Sequence, residues 1–277
     1  MSSDAESKCE RHVLTLEGNV TMAFRRIPAC PEGFLLGSWG YSEDEEPIHR
    51  VVIPEDFWMA ESPVTQAQFS VWTQKAMIDH KNYHDGPEDL PAENMTWQQA
   101  TEYCRWLTEN LAEQLPVGCC CASLPTEAHW EYACRGGIHT EYYTGDGNAA
   151  LHVAGWYHQN SGNMTHSVND ANKRRNKFGL SDLHGNVWEW CQDRWDAEAY
   201  RRRWEGITVG ETFELTEKYG DRAEDSNRVL RGGSYWNAAV GCRSAYRNWL
   251  RAGGRFRHFG FRVCLVRSPL FSSDSRG

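Results

Sequence analysis

Thirteen Trp, eleven Tyr and ten Phe share this 277-residue chain with 24 Gly. So many large rings demand a packed interior, and so many glycines demand frequent turns, which together suggest a compact, loop-rich fold rather than a helical bundle or a disordered chain. The length fits one large domain or two small ones. Disorder is expected at the ends: residues 1–18 as a disordered or extended N-terminus, and residues 268–277 as a flexible tail. Met1 to Arg11 is polar and lacks an apolar signal core, and nowhere do eighteen apolar residues run together. A cytoplasmic protein without secretion signal or membrane span is expected.

Charge is distributed unevenly. The formal net charge is -9, which argues against general nucleic-acid binding by the whole chain. Yet Arg231, Arg243, Arg247, Arg251, Arg255, Arg257 and Arg262 fall in a segment without Asp or Glu. A positive patch on an acidic body is expected there.

Local signals place three helices. Thr65 with Gln68, and Thr96 with Gln99, have the spacing in which a hydroxyl and an amide cap each other's free backbone N–H groups. After Thr96, Trp97, Ala100, Cys104, Leu107 and Leu111 form one apolar stripe on a helix of about five turns. Thr126 opens a shorter helix that Gly136 or Gly137 can close in a left-handed cap. His49 to Ile53 and Phe261 to Val266 read as strands, and the Gly-Gly pairs at 136, 232 and 253 as turns. The mix is α+β. Residues 196–227 are highly charged and read as a surface excursion of a domain covering residues 19–267.

Ten cysteines in a chain without a secretion signal are expected to be reduced thiols. Cys119, Cys120 and Cys121 cluster, but there is no C-x-x-C pair or matching histidine spacing for zinc. His80 and His84, four apart, read as a solvated helix end.

The order of motifs resembles the formylglycine-generating-enzyme, or sulfatase-modifying-factor, family. The resemblance runs from Phe34-Leu-Leu-Gly-Ser through Glu61-Ser-Pro-Val-Thr65, Asn94-Met-Thr-Trp97 and Leu124-Pro-Thr-Glu-Ala-His-Trp-Glu-Tyr-Ala133. It continues with Phe178-Gly-Leu-Ser-Asp-Leu-His-Gly-Asn-Val-Trp-Glu-Trp190, Arg228-Val-Leu-Arg-Gly-Gly-Ser234, Cys242-Arg-Ser-Ala-Tyr-Arg-Asn248 and Gly260-Phe-Arg-Val263. It implies a single C-type-lectin-like domain with few regular elements. Such a fold hosts oxidases, sulfoxide synthases and retroelement-diversified binding proteins, so the site residues decide function.

Three sites follow from the resemblance. Asp182, Gly185, Val187 and Glu189 match a structural calcium loop, whose two carboxylates and two backbone carbonyls are the hard oxygens calcium takes; Asn160, where relatives place a second calcium loop, lacks an acidic partner. Formylglycine formation, as the resemblance describes it, needs copper between two cysteines five apart after Gly-Gly-Ser. Here Ser234 is followed by Asn237 at the first of those positions and Cys242 at the second, so copper is not expected unless Cys264 or Cys191 substitutes. A sulfoxide synthase would need an additional helical domain with iron-binding histidines, and His12 stands alone in the first 30 residues.

The remaining candidate is a binding surface built from Tyr235, Trp236, Asn237, Tyr246, Asn248, Trp249, Arg251, Arg255, Phe256, Arg257 and His258. Tyr, Trp and Arg dominate interface hot spots. Arg243, Arg247 and Arg262 belong to the shared motifs and are expected to brace loops through carboxylates. The absence of Lys, Glu, Gln and Met from Gly232 to Arg262 is similar to a segment diversified by adenine mutagenesis of Asn-type codons, with Trp236 and Trp249 as fixed positions. The expected function is noncatalytic binding of a protein or other acidic or mixed polar ligand. The surface should be one contiguous patch of Trp236, Asn237, Trp249, Arg251, Arg255, Phe256, Arg257 and His258, over Cys242, Ser244 and Phe261. The alternative is a formylglycine-generating or related oxidase using Cys242 and Ser234.

Overall fold

A computed structural model of the chain describes residues 10–168, 170–204 and 226–267. The expected tail at 268–277 and most of the excursion at 196–227 lie outside them.

The strands are β1 (Arg11–Glu17), β2 (Val20–Ile27), β3 (Cys30–Leu36), β4 (His49–Ile53), β5 (Phe57–Ala60), β6 (Cys121–Ser123), β7 (Trp188–Arg194), β8 (Asn227–Arg231), β9 (Arg247–Arg251), β10 (Phe259–Phe261) and β11 (Cys264–Val266). They form a five-stranded sheet in the order β1-β2-β5-β11-β6, a four-stranded sheet in the order β10-β7-β8-β9, and the hairpin β3-β4. Only β10 and β7 run parallel among these pairings. Helices α1 (Gln66–Lys75), α2 (Trp97–Asn110), α3 (Glu127–Arg135), α4 (Gly147–Ala154) and α5 (Ala199–Trp204) connect and cover the sheets. No described helix is long and apolar enough to cross a membrane.

The caps fall where the local chemistry puts them. Thr65 and Gln68, and likewise Thr96 and Gln99, form reciprocal capping boxes at α1 and α2. Thr126 accepts from the His129 N–H at the start of α3, and Gly136 closes that helix with φ 57°. Helix α2 ends at Asn110, about one turn before five turns are complete, because Leu111 leaves helical geometry.

Two expected boundaries are corrected. Arg11–Glu17, expected within a disordered or extended N-terminus ahead of the domain, is extended but belongs to the domain as a strand of the five-stranded sheet, with Leu14 and Leu16 burying their side chains in the core. The domain therefore begins by residue 11. Phe261 to Val266 is not one strand but two, broken at Arg262 and Val263. The break lets β10 pair with β7 while β11 pairs with β5 and β6, and Arg262 sits fully buried between the two sheets. Within 196–227, α5 turns Tyr200 completely into the core, so that end of the expected surface excursion is an anchor.

Candidate functional site

The acid-free segment from Arg231 to Arg262 divides into inward and outward arginines. Arg231 reaches Glu127 at 2.8 Å and also Glu131; Arg247 reaches both oxygens of Glu127 at 2.6 and 3.0 Å. Arg243 holds Glu45 with two bonds of 2.7 and 2.9 Å. Arg262 engages both oxygens of Glu189. All four guanidinium groups are buried, so each needs its carboxylate to offset desolvation. Burial opposes ionisation of Glu127, but Arg247 and Arg231 outweigh it and hold its carboxyl at about 2. The expected bracing by Arg243, Arg247 and Arg262 is present, and Arg231 joins it. The surface keeps Arg251, Arg255 and Arg257 only.

Around Arg257 the loops converge. Its guanidinium lies 4.8 Å from the Trp236 ring centre and 5.0 Å from that of Tyr83, and donates to the Tyr83 hydroxyl at 3.1 Å. Phe256 stacks near His258 at 5.9 Å, and the His258 ring contacts Tyr235 at 6.4 Å. Trp236 also meets His158 at 6.3 Å. Trp236, Phe256 and Tyr83 are about half exposed, which leaves large, adaptable contact area in solvent.

Beneath them the surface is fixed. Tyr235 is fully buried, so it serves as a support rather than a contact, and its hydroxyl pairs with the His84 ring at 2.9 Å. The loop carrying Tyr83 and His84 is in turn tied down by Glu93, whose Oε1 accepts both backbone N–H groups at 2.5 and 2.8 Å. Burial pushes the Glu93 carboxyl up to about 7. Burial and, after it, Arg257 pull the His84 imidazole down, and do the same to His258, which falls to about 4. At neutral pH both rings are uncharged, leaving Arg257 as the cation of the cluster.

The expected single patch is therefore only partly assembled. Trp236, Phe256, Arg257 and His258 come together, with the rim residue Asn237 turned to Ser234. Trp249 stands instead on the edge strand β9, with its ring against Trp195 at 6.3 Å. Asn248 and Arg251 lie on the same strand, Arg255 is exposed, and half-buried Tyr246 packs toward Trp188 at 5.9 Å. Cys242, Ser244 and Phe261 are buried as scaffold. Tyr83 and His158 carried no signal in the sequence, and His84 was expected only as part of a solvated helix end. His80 and His84 are not a helix end: the stretch is non-helical, and His80 packs edge-on against Phe69 at 4.8 Å.

Cys242 sits at the bottom of a tight crossing. Gly233, at φ 72°, leaves no room for a Cβ, which would meet the Cys242 sulfur and the Gly241 carbonyl at 2.6 Å. The Cys242 sulfur lies 3.9 Å from the Ser234 carbonyl among Tyr142, Leu151 and Tyr157, and burial pushes its thiol up to about 12. Cys191 and Cys264 pack in a different apolar cluster. Asn237 Oδ1 accepts from the Ser234 hydroxyl at 2.6 Å.

The calcium expectation meets an engaged donor set. Both oxygens of Glu189 are held by Arg262, and one also accepts from the Trp130 indole at 2.7 Å. Asp182 accepts from the Asn186 amide at 3.1 Å, and its burial pushes the carboxyl up to about 7 against the pull of Arg262. A divalent cation held by Asp182, Gly185, Val187 and Glu189 would therefore share Glu189 with the Arg262 guanidinium and draw on a carboxylate at Asp182 that burial disfavours. Among the described residues, no three His, Cys, Asp or Glu side chains are grouped to hold a metal.

Comparison with known proteins follows the same lines. Residues 1–267 match the family described as the sulfatase-modifying factor enzyme 1-like domain. The chain is 26% identical over 250 residues to the serine/threonine-protein kinase pkn1 of Chlamydia pneumoniae, covering 83% of this chain and 36% of that one. It is 27% identical over 237 residues to the formylglycine-generating enzyme of Mus musculus, covering 80% and 54%. The chain thus spans only about a third to a half of the length of these relatives. Among solved structures, Treponema denticola variable protein 1 superposes with a TM-score of 0.72 at 27% identity, covering 92% of this chain and 98% of that one.

Proposed function

Because the chain belongs to the sulfatase-modifying factor family, we propose that it uses that family's C-type-lectin-like fold as a noncatalytic binding module, with the ligand held on the loops around Trp236 and Arg257. The observation that carries this reading is the stack in which Arg257 lies against Tyr83 and Trp236 above the buried side chains of Tyr235 and Glu93, with half-buried His84 between them. Contacts of this kind present rigid aromatic area and one cation at small entropic cost. The favoured partner is a protein segment bearing carboxylates beside polar or planar groups, since Arg pairs bidentately with carboxylate and stacks on flat surfaces. The acidic remainder of the chain disfavours nucleic acid.

The oxidase reading loses support at the same place. Formylglycine chemistry in the resemblance rests on two thiolates, and here an amide engaged with Ser234 stands at one position while the other thiol is buried and strongly protonated. Likeness to a protein titled a variable protein supports the further reading that residues around Trp236 are the changeable part of a fixed scaffold. Selection of a displayed peptide library tests the proposal. Wild type should enrich acidic peptides, and the Trp236→Ala, Arg257→Ala double variant should enrich none of them. Equal enrichment by both proteins would place binding elsewhere.

A further inference from the structure

The triple cysteine at 119–121 has no part in the surface around Arg257, yet the fold gives two of its thiols a defined relation. Cys121 opens β6, the edge of the five-stranded sheet, and pairs with Val266; the Cys120 N–H donates to the Val266 carbonyl at 2.9 Å. With the backbone pinned at both residues, the two sulfurs stand 3.8 Å apart, with Cys120 exposed and Cys121 half-buried. That separation far exceeds the roughly 2.05 Å of a disulfide bond. It is close to what two sulfurs adopt when one atom bridges them: with bonds of about 2.3 Å, sulfurs at this distance subtend an angle of about 110° at that atom.

We propose that Cys120 and Cys121 form a two-thiol site for one thiophilic centre, of the class represented by monosubstituted trivalent arsenicals. The number of donors selects the class. Zinc in a closed protein site takes four ligands, whereas no third His, Cys, Asp or Glu is grouped with this pair among the described residues. An arsenical carrying one organic group needs two sulfurs and no more. Burial pushes the Cys119 thiol up more than Arg267 pulls it back, which makes it a poorer competitor. Cys104, behind the strand, is fully buried. In the capture step each thiol gives its proton to one of the two hydroxyls on hydrated arsenic. Two S–As bonds replace two As–O bonds, two waters leave, and no electrons are transferred.

The full chain, reduced and desalted, is incubated with phenylarsine oxide and its intact mass is measured. One adduct per chain is expected, stable to excess monothiol and removed by a dithiol. It should be lost in Cys120→Ser and in Cys121→Ser, and kept in Cys119→Ser. Cys120 is exposed, so its serine variant should melt with wild type and separates loss of the site from loss of the fold. Absence of an adduct on wild type, or its persistence in the folded Cys120→Ser variant, overturns the proposal.

Discussion

The guanidinium of Arg257 lies 4.8 Å from the centre of the Trp236 ring, joining the loop after β8 to the loop before β10. The same group reaches Tyr83, so three segments distant in sequence share one exposed stack. Because Tyr235 and Glu93 beneath are buried and the stack is not, binding and folding should separate. For a peptide enriched on wild type, Trp236→Ala or Arg257→Ala should cost about 1 to 3 kcal/mol of affinity by calorimetry, while stability changes by less than about 1 kcal/mol. Trp249→Ala should leave that affinity unchanged, since its ring lies with Trp195.

Glu189 and Arg262 should behave as a buried ion pair and not as part of a calcium loop. Arg262→Met leaves the Glu189 carboxylate without its cation, and should destabilise by about 3 to 5 kcal/mol in chemical denaturation. Excess Ca²⁺ or EDTA should leave the melting temperature of wild type unchanged, because an ion that does not bind the folded state cannot shift unfolding. A calcium-dependent rise that disappears in Asp182→Ala would instead support the calcium loop.

Glu93 supplies a pH dependence with a defined sign. Its carboxyl titrates at about 7 in the fold, above its ordinary value of 4.5, because burial disfavours the charge. Below 4.5 the group is protonated in both states and costs nothing. Between 4.5 and 7 the unfolded chain gives up the proton first, so Glu93 lowers stability as pH rises, by on the order of 1 to 3 kcal/mol in full. Glu93→Gln keeps an oxygen for the Tyr83 and His84 N–H groups and cannot ionise. Its stability relative to wild type should therefore grow from pH 5 to pH 8, measured by urea midpoints; a constant difference would show that Glu93 does not titrate in that window.

Much of the scaffold was legible because its signals are local. Thr65, Thr96 and Thr126 cap helices through residues three positions away, and Gly136 ends α3 for reasons confined to its own backbone. The arginines were harder, since their composition suggested a surface while four of them point inward. The sign was present in Glu127 and Glu131, two carboxylates one turn apart in a helix otherwise rich in apolar residues, which require buried cations. Tyr83 and His84 carried no such sign. They reach the site only because Glu93 folds their loop back over Tyr235, a contact spanning 151 positions. Trp249 was misplaced for a related reason: nearness in sequence to Trp236 said nothing of the edge strand that carries it to Trp195.

Incubation of the purified chain with Cu(I), oxygen and a cysteine-containing sulfatase-type peptide, read by mass spectrometry, tests the noncatalytic account most directly. With Asn237 hydrogen-bonded to Ser234 and the Cys242 thiol buried and pushed up to about 12, the peptide cysteine should remain unmodified while the family's oxidases convert it in a parallel reaction. Formylglycine in the peptide, formed by the wild-type chain and lost in Cys242→Ala, would contradict the account.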